Sequence, residues 1–190
     1  MDPIGARWEG LFADLEAQLS AAAIADRAAE AEARARVEAG QISIVDRLRA
    51  AIGEDVRVRC SGGLLLRGRL LRVGPEWLLL EELNRQEIVV PVAAICSTTG
   101  HGRLSAGPER GSAVSSRLGL RSALRAVSRD RAQVTVYLVD GSSVDGTLDR
   151  VGADFADLAV HPVGEARRRG DVLAIQTLIL GMIAAVRRRS

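Results

Sequence analysis

Apolar positions recur at two different spacings along this chain, and the changes between them mark its elements. From residue 6 to 39 the spacing is helical. Trp8, Leu11, Phe12, Leu15 and Leu19 fall on one face, and beyond Ser20 the pattern fades into Ala with Glu and Arg. A helix over 6–39 is about 50 Å long at the usual rise of 1.5 Å per residue, more than a small domain can cover. Gly40 ends it. Ile42, Val45, Leu48 and Ile52 then predict a short second helix that stops at Gly53.

After Gly53 the period becomes two. Val56, Val58 and Cys60 alternate with Arg57 and Arg59, the mark of a strand with one buried face. Leu64 to Val73 predicts a long second strand, interrupted at Gly68, where a missing side chain permits a bend. Trp77 to Leu83 and Ile88 to Val92 predict a third and a fourth, and Ile95 opens a fifth. Residues 97–117 carry Gly and Ser without periodicity and read as a linker. Leu118, Leu120, Leu124 and Val127 then predict another short helix.

Beyond that helix the chain repeats its first β unit. Val134–Leu158 aligns with Val56–Leu80 at a constant shift of 78 residues, and 9 of the 25 positions are identical, including Gly63/Gly141, Gly68/Gly146 and Gly74/Gly152. VPVAAI at 90–95 returns as LILGMI at 178–183, a shift of 88, so ten extra residues lie between, in a loop holding Arg167, Arg168 and Arg169. The organisation expected is a helix over 1–40, a β unit over 41–98, a linker over 99–117 and a second β unit over 118–190.

Charge refines this picture. Every one of the 26 basic residues is Arg. Residues 1–40 hold 4 Arg against 8 acids, whereas 97–133 hold 7 Arg against 2. The helix is therefore acidic on its polar face, which does not suit a membrane surface. The most apolar run, Leu173–Val186, is 14 residues and too short to span a bilayer. The start lacks a basic, then apolar, leader, and two cysteines make no disulfide framework. A cytoplasmic protein with reduced, buried Cys60 and Cys96 is the expectation.

No catalytic or metal chemistry is readable. His101 and His161 lie far apart, the two Cys are 36 residues apart, and no Ser or Cys sits in a strand–turn–helix elbow. No catalytic, cofactor or metal residue is assigned, and no enzyme activity is expected. Trp77 and Phe155 open equivalent strands, where a structural plug under the preceding turn is expected. Two Arg triplets remain: Arg167–Arg169, and Arg187, Arg188 and Arg189 at the end of the sequence. Clustered cations of this kind suit phosphate contact without base reading.

A short helix followed by five strands, the second long and bent at a Gly, resembles the Sm-like fold, a small barrel of SH3 type. Asp140-Gly141, Gly146, Leu148 and Leu158 stand where Sm-like proteins carry their DG turn, bend Gly and apolar positions. The opening WEGLFADLEAQL, Trp8–Leu19, is similar to that of an uncharacterised actinobacterial family. The resemblance implies two tandem five-stranded barrels, each preceded by a short helix. It also implies where RNA would be read, by an Asn in the turn after the second strand and an Arg-Gly pair before the last. Leu78 and Ala156 occupy the Asn positions, and VVPVAAI and LILGMI hold no Arg-Gly pair. The reading that results is a non-enzymatic protein-interaction module or oligomeric adaptor. Its partner, another copy or a different protein, would meet Trp8, Leu11, Phe12, Leu15 and Leu19. The alternative is sequence-nonspecific RNA or DNA binding through the Arg triplets.

Overall fold

The computed structural model describes residues 3–106, 118–161 and 173–189, and within its first helix it describes no side chains for residues 3–14, 17, 19 and 38. It comprises two compact units, residues 1–42 and 43–190.

The first unit is one helix, α1 (Pro3–Gln41), of 39 residues. Its second half is built from Ala, Glu and Arg, which favour helix without needing a core. Exposed i,i+4 pairs support it, with Arg34 2.9 Å from Glu30 and Arg36 3.4 Å from Glu32.

The second unit is mainly β. It opens with α2 (Ile44–Ala50), started by a capping box in which the Ser43 hydroxyl accepts from the Asp46 N–H and the Asp46 carboxylate accepts from the Ser43 N–H. That reciprocal bonding, led by the Ser43 hydroxyl on the carboxylate, holds the Asp46 carboxyl below its usual range. The strands β1 (Asp55–Cys60), β2 (Leu65–Val73), β3 (Trp77–Glu81), β4 (Glu87–Pro91) and β5 (Ile95–Thr99) come next. After α3 (Leu120–Arg129) come β6 (Gln133–Leu138), β7 (Ser143–Val151), β8 (Phe155–Val160), β9 (Ala174–Ile179) and β10 (Ile183–Arg188).

All ten strands belong to one sheet, in the order β5-β1-β2-β3-β4-β10-β6-β7-β8-β9, and every neighbouring pair is antiparallel. Each half of that order is the same walk through its own repeat. The irregularities repeat too. The β2–β3 register shifts between Leu70 and Arg72, and the β7–β8 register shifts between Leu148 and Arg150. Cys60↔Ile95 and Leu138↔Ile183 are the matching pairs beside the bulges at the other end of each half.

Two closed barrels were expected; the observed sheet is open and continuous. The halves are joined at a seam where β4 pairs with β10, through Val89↔Val186 and Ile88↔Arg187. The reason lies in β3 and β4, whose apolar runs WLLL and IVV do not alternate and are covered on both faces. Leu78, Leu80, Ile88 and Val90 enter the core of the first half, while Trp77, Leu79 and Val89 pack into the core of the second. In return β10 sends Ala184 and Ala185 into the first core. Each of the two cores therefore draws side chains from both repeats, and residues 43–190 fall in one compact unit.

Candidate interaction surfaces

The α1 helix carries the stripe singled out in the sequence. Of its five members, Leu15 is 45% exposed, and the side chains of Trp8, Leu11, Phe12 and Leu19 lie outside the described residues. Every described side chain from Ser20 to Val37 is exposed, Ile24 and Val37 among them.

The two Arg triplets separate. Arg167, Arg168 and Arg169 lie outside the described residues. Arg187, Arg188 and Arg189 run along the end of β10, and their guanidiniums meet acids from both repeats. Arg187 reaches Glu82 at 3.0 Å, donates to the Tyr137 hydroxyl and lies 5.0 Å from the centre of that ring. Arg188 stands 3.4 Å from both Glu87 and Asp130. Arg189 donates to the Thr135 hydroxyl at 2.8 Å and is 3.9 Å from Asp145. Arg187 and Arg188 link β10 to the β3–β4 hairpin across the seam, while Arg189 is held within the second repeat. Glu82, Glu87 and Asp130 were not singled out from the sequence, although for the two glutamates a signal is there. Glu82 and Glu87 align with Val160 and Ile175, so the acids exist only in the hairpin that meets β10.

Glu76 is a second seam residue that sequence reasoning missed. The N-cap of α3 is Gly119, which has no side chain to cap with, and Glu76 accepts from the Leu120 N–H at 3.1 Å in its place. Next to it Trp77 donates from Nε1 to the Leu118 carbonyl at 2.7 Å. Trp77 lies against Gly74 and is buried, while its counterpart Phe155 lies against Gly152 and is half-buried, with Arg150 over the ring. Both rings do sit against their turns, and Trp77 is also tied to the start of α3.

A cleft of about 710 Å³ is lined by residues of both repeats, among them Glu76, Pro91, Leu120, Leu180 and Ile183. A cleft of about 310 Å³ runs beside α3, lined by Trp77, Leu79, Val89, Ala126 and Val127 together with the Arg188–Asp130 pair. Arg188 meets Glu87 and Asp130 there, and no Ser, Thr, Cys or His is among the described residues that line it. Among the described residues, no three His, Cys, Asp or Glu side chains gather as a metal site would require. His161 is buried just after β8, with its Nε2 2.8 Å from the Thr147 hydroxyl. No helix among the described residues is long and apolar enough to cross a membrane.

The cysteines differ from expectation. Cys60 is buried, but Cys96 is exposed, because β5 is an edge strand and the bulge at Cys60↔Ile95 leaves Cys96 outside the first core. Burial, reinforced by the nearby Cys96, pushes the Cys60 thiol up to about 11. Ellman's reagent at pH 8 is therefore expected to titrate one thiol per native chain and two after unfolding. The same shift makes folding pH-dependent. Below pH 9 both states keep Cys60 protonated. Between the ordinary thiol value of 9.0 and about 11 the unfolded chain ionises first, so stability falls as pH rises through that window.

The two outer edges of the sheet form the last surface. Among the described residues, β5 and β9 each have a strand on one side only. Neither ICSTT nor AIQTLI contains a charged residue or a proline. On β9, Ile175 is 68% exposed and Ile179 53%, with Leu173 and Met182 exposed at its ends. Natural edges are usually protected by charge, proline or a covering element. These two carry no charge or proline.

Compared with models of known protein families and with curated proteins, the sequence matches none.

Proposed function

We propose that each half of the sheet is an Sm-like module and that the chain is a non-enzymatic protein-interaction or oligomeric adaptor of the cytoplasm. The observation that carries this reading is α1, a 39-residue helix in a unit of its own, with every described side chain from Ser20 to Val37 exposed. Holding so long a helix in register without a core of its own is consistent with a helix that meets a partner. The partner would dock on the stripe of Trp8, Leu11, Phe12, Leu15 and Leu19. The engagement of Arg187, Arg188 and Arg189 by acids leaves phosphate gripping to rest on Arg167–Arg169.

Light scattering coupled to size exclusion tests this on the full chain and on a chain beginning at Gln41. Each is run with and without short RNA and DNA, at low and high salt. The expected result is that removing 1–40 lowers the assembly mass and that nucleic acid changes nothing. Binding to nucleic acid that disappears as salt rises would instead assign the function to the Arg residues, since only phosphate contact carries so steep a salt dependence.

A further inference from the structure

The outer face of β1 and β2 carries three cations without partners among the described residues. Arg57, Arg59 and Arg67 are exposed, and Arg57 stands directly opposite Arg67 in the register of the two strands. That pair is about 5 Å apart across the strands, and Arg59 follows about 7 Å further along β1. None of the three side chains has a hydrogen bond or an ion pair to a described residue. Arg69, on the same face, is engaged: it donates to the Gly53 carbonyl at 3.0 Å and stands between Asp55 and Glu81 in the register. Like charges directly opposite each other in a sheet are destabilising, so the Arg57–Arg67 pair is held against a penalty. We propose that this face receives the acidic, apolar-striped half of α1 from a second copy of the chain. The inference rests on the reading of α1 as a docking helix and names what it docks on.

Three observations carry the proposal. The first is the second repeat, which builds the same face without opposed cations. Arg57, Arg59 and Arg67 align there with Thr135, Tyr137 and Asp145, and the Thr135 hydroxyl donates to the Asp145 carboxylate at 2.5 Å. An acid at this place is therefore compatible with the fold, yet the first repeat holds an unpaired Arg. The second is Leu65, which stands opposite Arg59 and is 72% exposed, so the face sets apolar surface beside its cations. The third is the helix. Residues 1–19 hold the acids Asp2, Glu9, Asp14 and Glu16 against Arg7 alone, on the stretch that also carries the apolar stripe. Glu9 and Glu16 are seven residues apart, two turns, and so fall on one side of α1. Glu16 is exposed, next to the exposed Leu15.

The chemistry of the two surfaces is complementary. A guanidinium is a planar fork that takes a carboxylate through two hydrogen bonds, and the sheet supplies three of them within the roughly 10 Å width of a helix. The carboxylates of α1 meet these cations, and its apolar stripe covers Leu65. Phosphate contact fits the face less well. Nucleic acid backbone would leave Leu65 uncovered, and DVRVRC, LLRGRLLRV and ICSTT hold no aromatic residue on which a base could stack. Each copy carries one helix and one receiving face, so a reciprocal pair is the smallest closed assembly.

The second repeat supplies the test. Arg67→Asp in the full chain gives the first repeat the acid that Asp145 provides in the second. It places opposite charges across β1 and β2, so the melting temperature is expected to rise by roughly 1–3 °C. Self-association, followed by light scattering over a dilution series, is expected to weaken about tenfold, because the receiving face loses a cation and gains an acid. Loss of assembly together with a gain in stability is not what damage to the fold would give. Glu9→Arg/Glu16→Arg is expected to weaken association as well, and combining it with Arg57→Glu/Arg67→Glu is expected to restore the mass. An unchanged mass in Arg67→Asp, or no recovery in the combined variant, overturns the proposal. Binding of short RNA or DNA at low salt that Arg67→Asp abolishes also overturns it, since the face would then belong to phosphate. The adaptor reading fails separately. If removal of 1–40 lowers the mass and Arg67→Asp does not, α1 docks elsewhere and only this proposal falls. If removal of 1–40 leaves the mass unchanged, the adaptor reading falls with it.

Discussion

Gly146→Val is expected to destabilise the second unit by about 3 kcal/mol or more, which for a chain of this length lowers the melting temperature by roughly 10 °C. A β-carbon at Gly146 would stand 2.2 Å from the carbonyl oxygen of Ala159 and 3.0 Å from Leu158 Cγ. The obstructing oxygen is backbone in the adjacent strand, where Gly146 pairs with Val160, so it cannot swing aside as a side chain can. Accommodating any side chain means pushing β8 away from β7 next to the bulge at Leu148/Arg150 and opening the core around Leu148 and Leu158. Gly68 is in the same position in the first half, 2.3 Å by the same measure from the Glu81 carbonyl oxygen. Thermal unfolding followed by circular dichroism measures the loss. Gly40→Ala provides the contrast, since nothing lies within 4 Å of a β-carbon there. Placed in α1, that change is expected to add up to about 1 kcal/mol to the helix. A Gly146→Val protein that melted like the parent would mean that the close approach of β7 and β8 is not a feature of the folded protein.

Arg187→Ala is expected to cost about 2–3 kcal/mol, and the loss should depend on Glu82. The two side chains are only 21% and 18% exposed, and they meet across the joint between the repeats. Removing the cation leaves Glu82 largely desolvated without its partner and takes away the ring contact with Tyr137. The residual exposure allows some solvent screening, which holds the expectation below that for a fully buried pair. Equilibrium denaturation of Arg187→Ala, Glu82→Ala and the double variant gives the coupling directly. A coupling of about 1–3 kcal/mol is expected, with the double variant markedly better than the sum of the singles. Additive losses would mean that Arg187 contributes through packing alone.

Both predictions turn on a distinction between what was legible locally and what was not. Period-two alternation in Val56–Cys60 and helical spacing in 6–39 placed β1 and α1 close to their observed bounds, because each reports only which side of its own element is buried. The 78-residue shift placed the bend glycines, and the reason a Gly stands at 68 and 146 is itself local to a pair of adjacent strands. The seam was different. The unbroken apolar runs in β3 and β4 signal burial on both faces, but not what covers the second face. In the candidate site, α1 was visible as a stripe. Arg187, Arg188 and Arg189 resembled a free cationic tail, since nothing next to them in the chain is acidic.

The chain's local patterns therefore account for the elements, their order and the existence of two copies of one β unit. Each of these follows from periodicity and backbone preference within a few tens of residues. Tertiary structure alone decided that β4 pairs with β10, joining the copies in one open sheet whose two cores each draw on both copies, that Glu76 caps a helix 44 residues away, and that Arg187 meets Glu82 105 residues away. Strand pairing is made by backbone groups that every residue carries. The choice of neighbour is therefore settled by which exposed apolar faces can cover one another, a property of the assembled sheet and not of any one stretch of it.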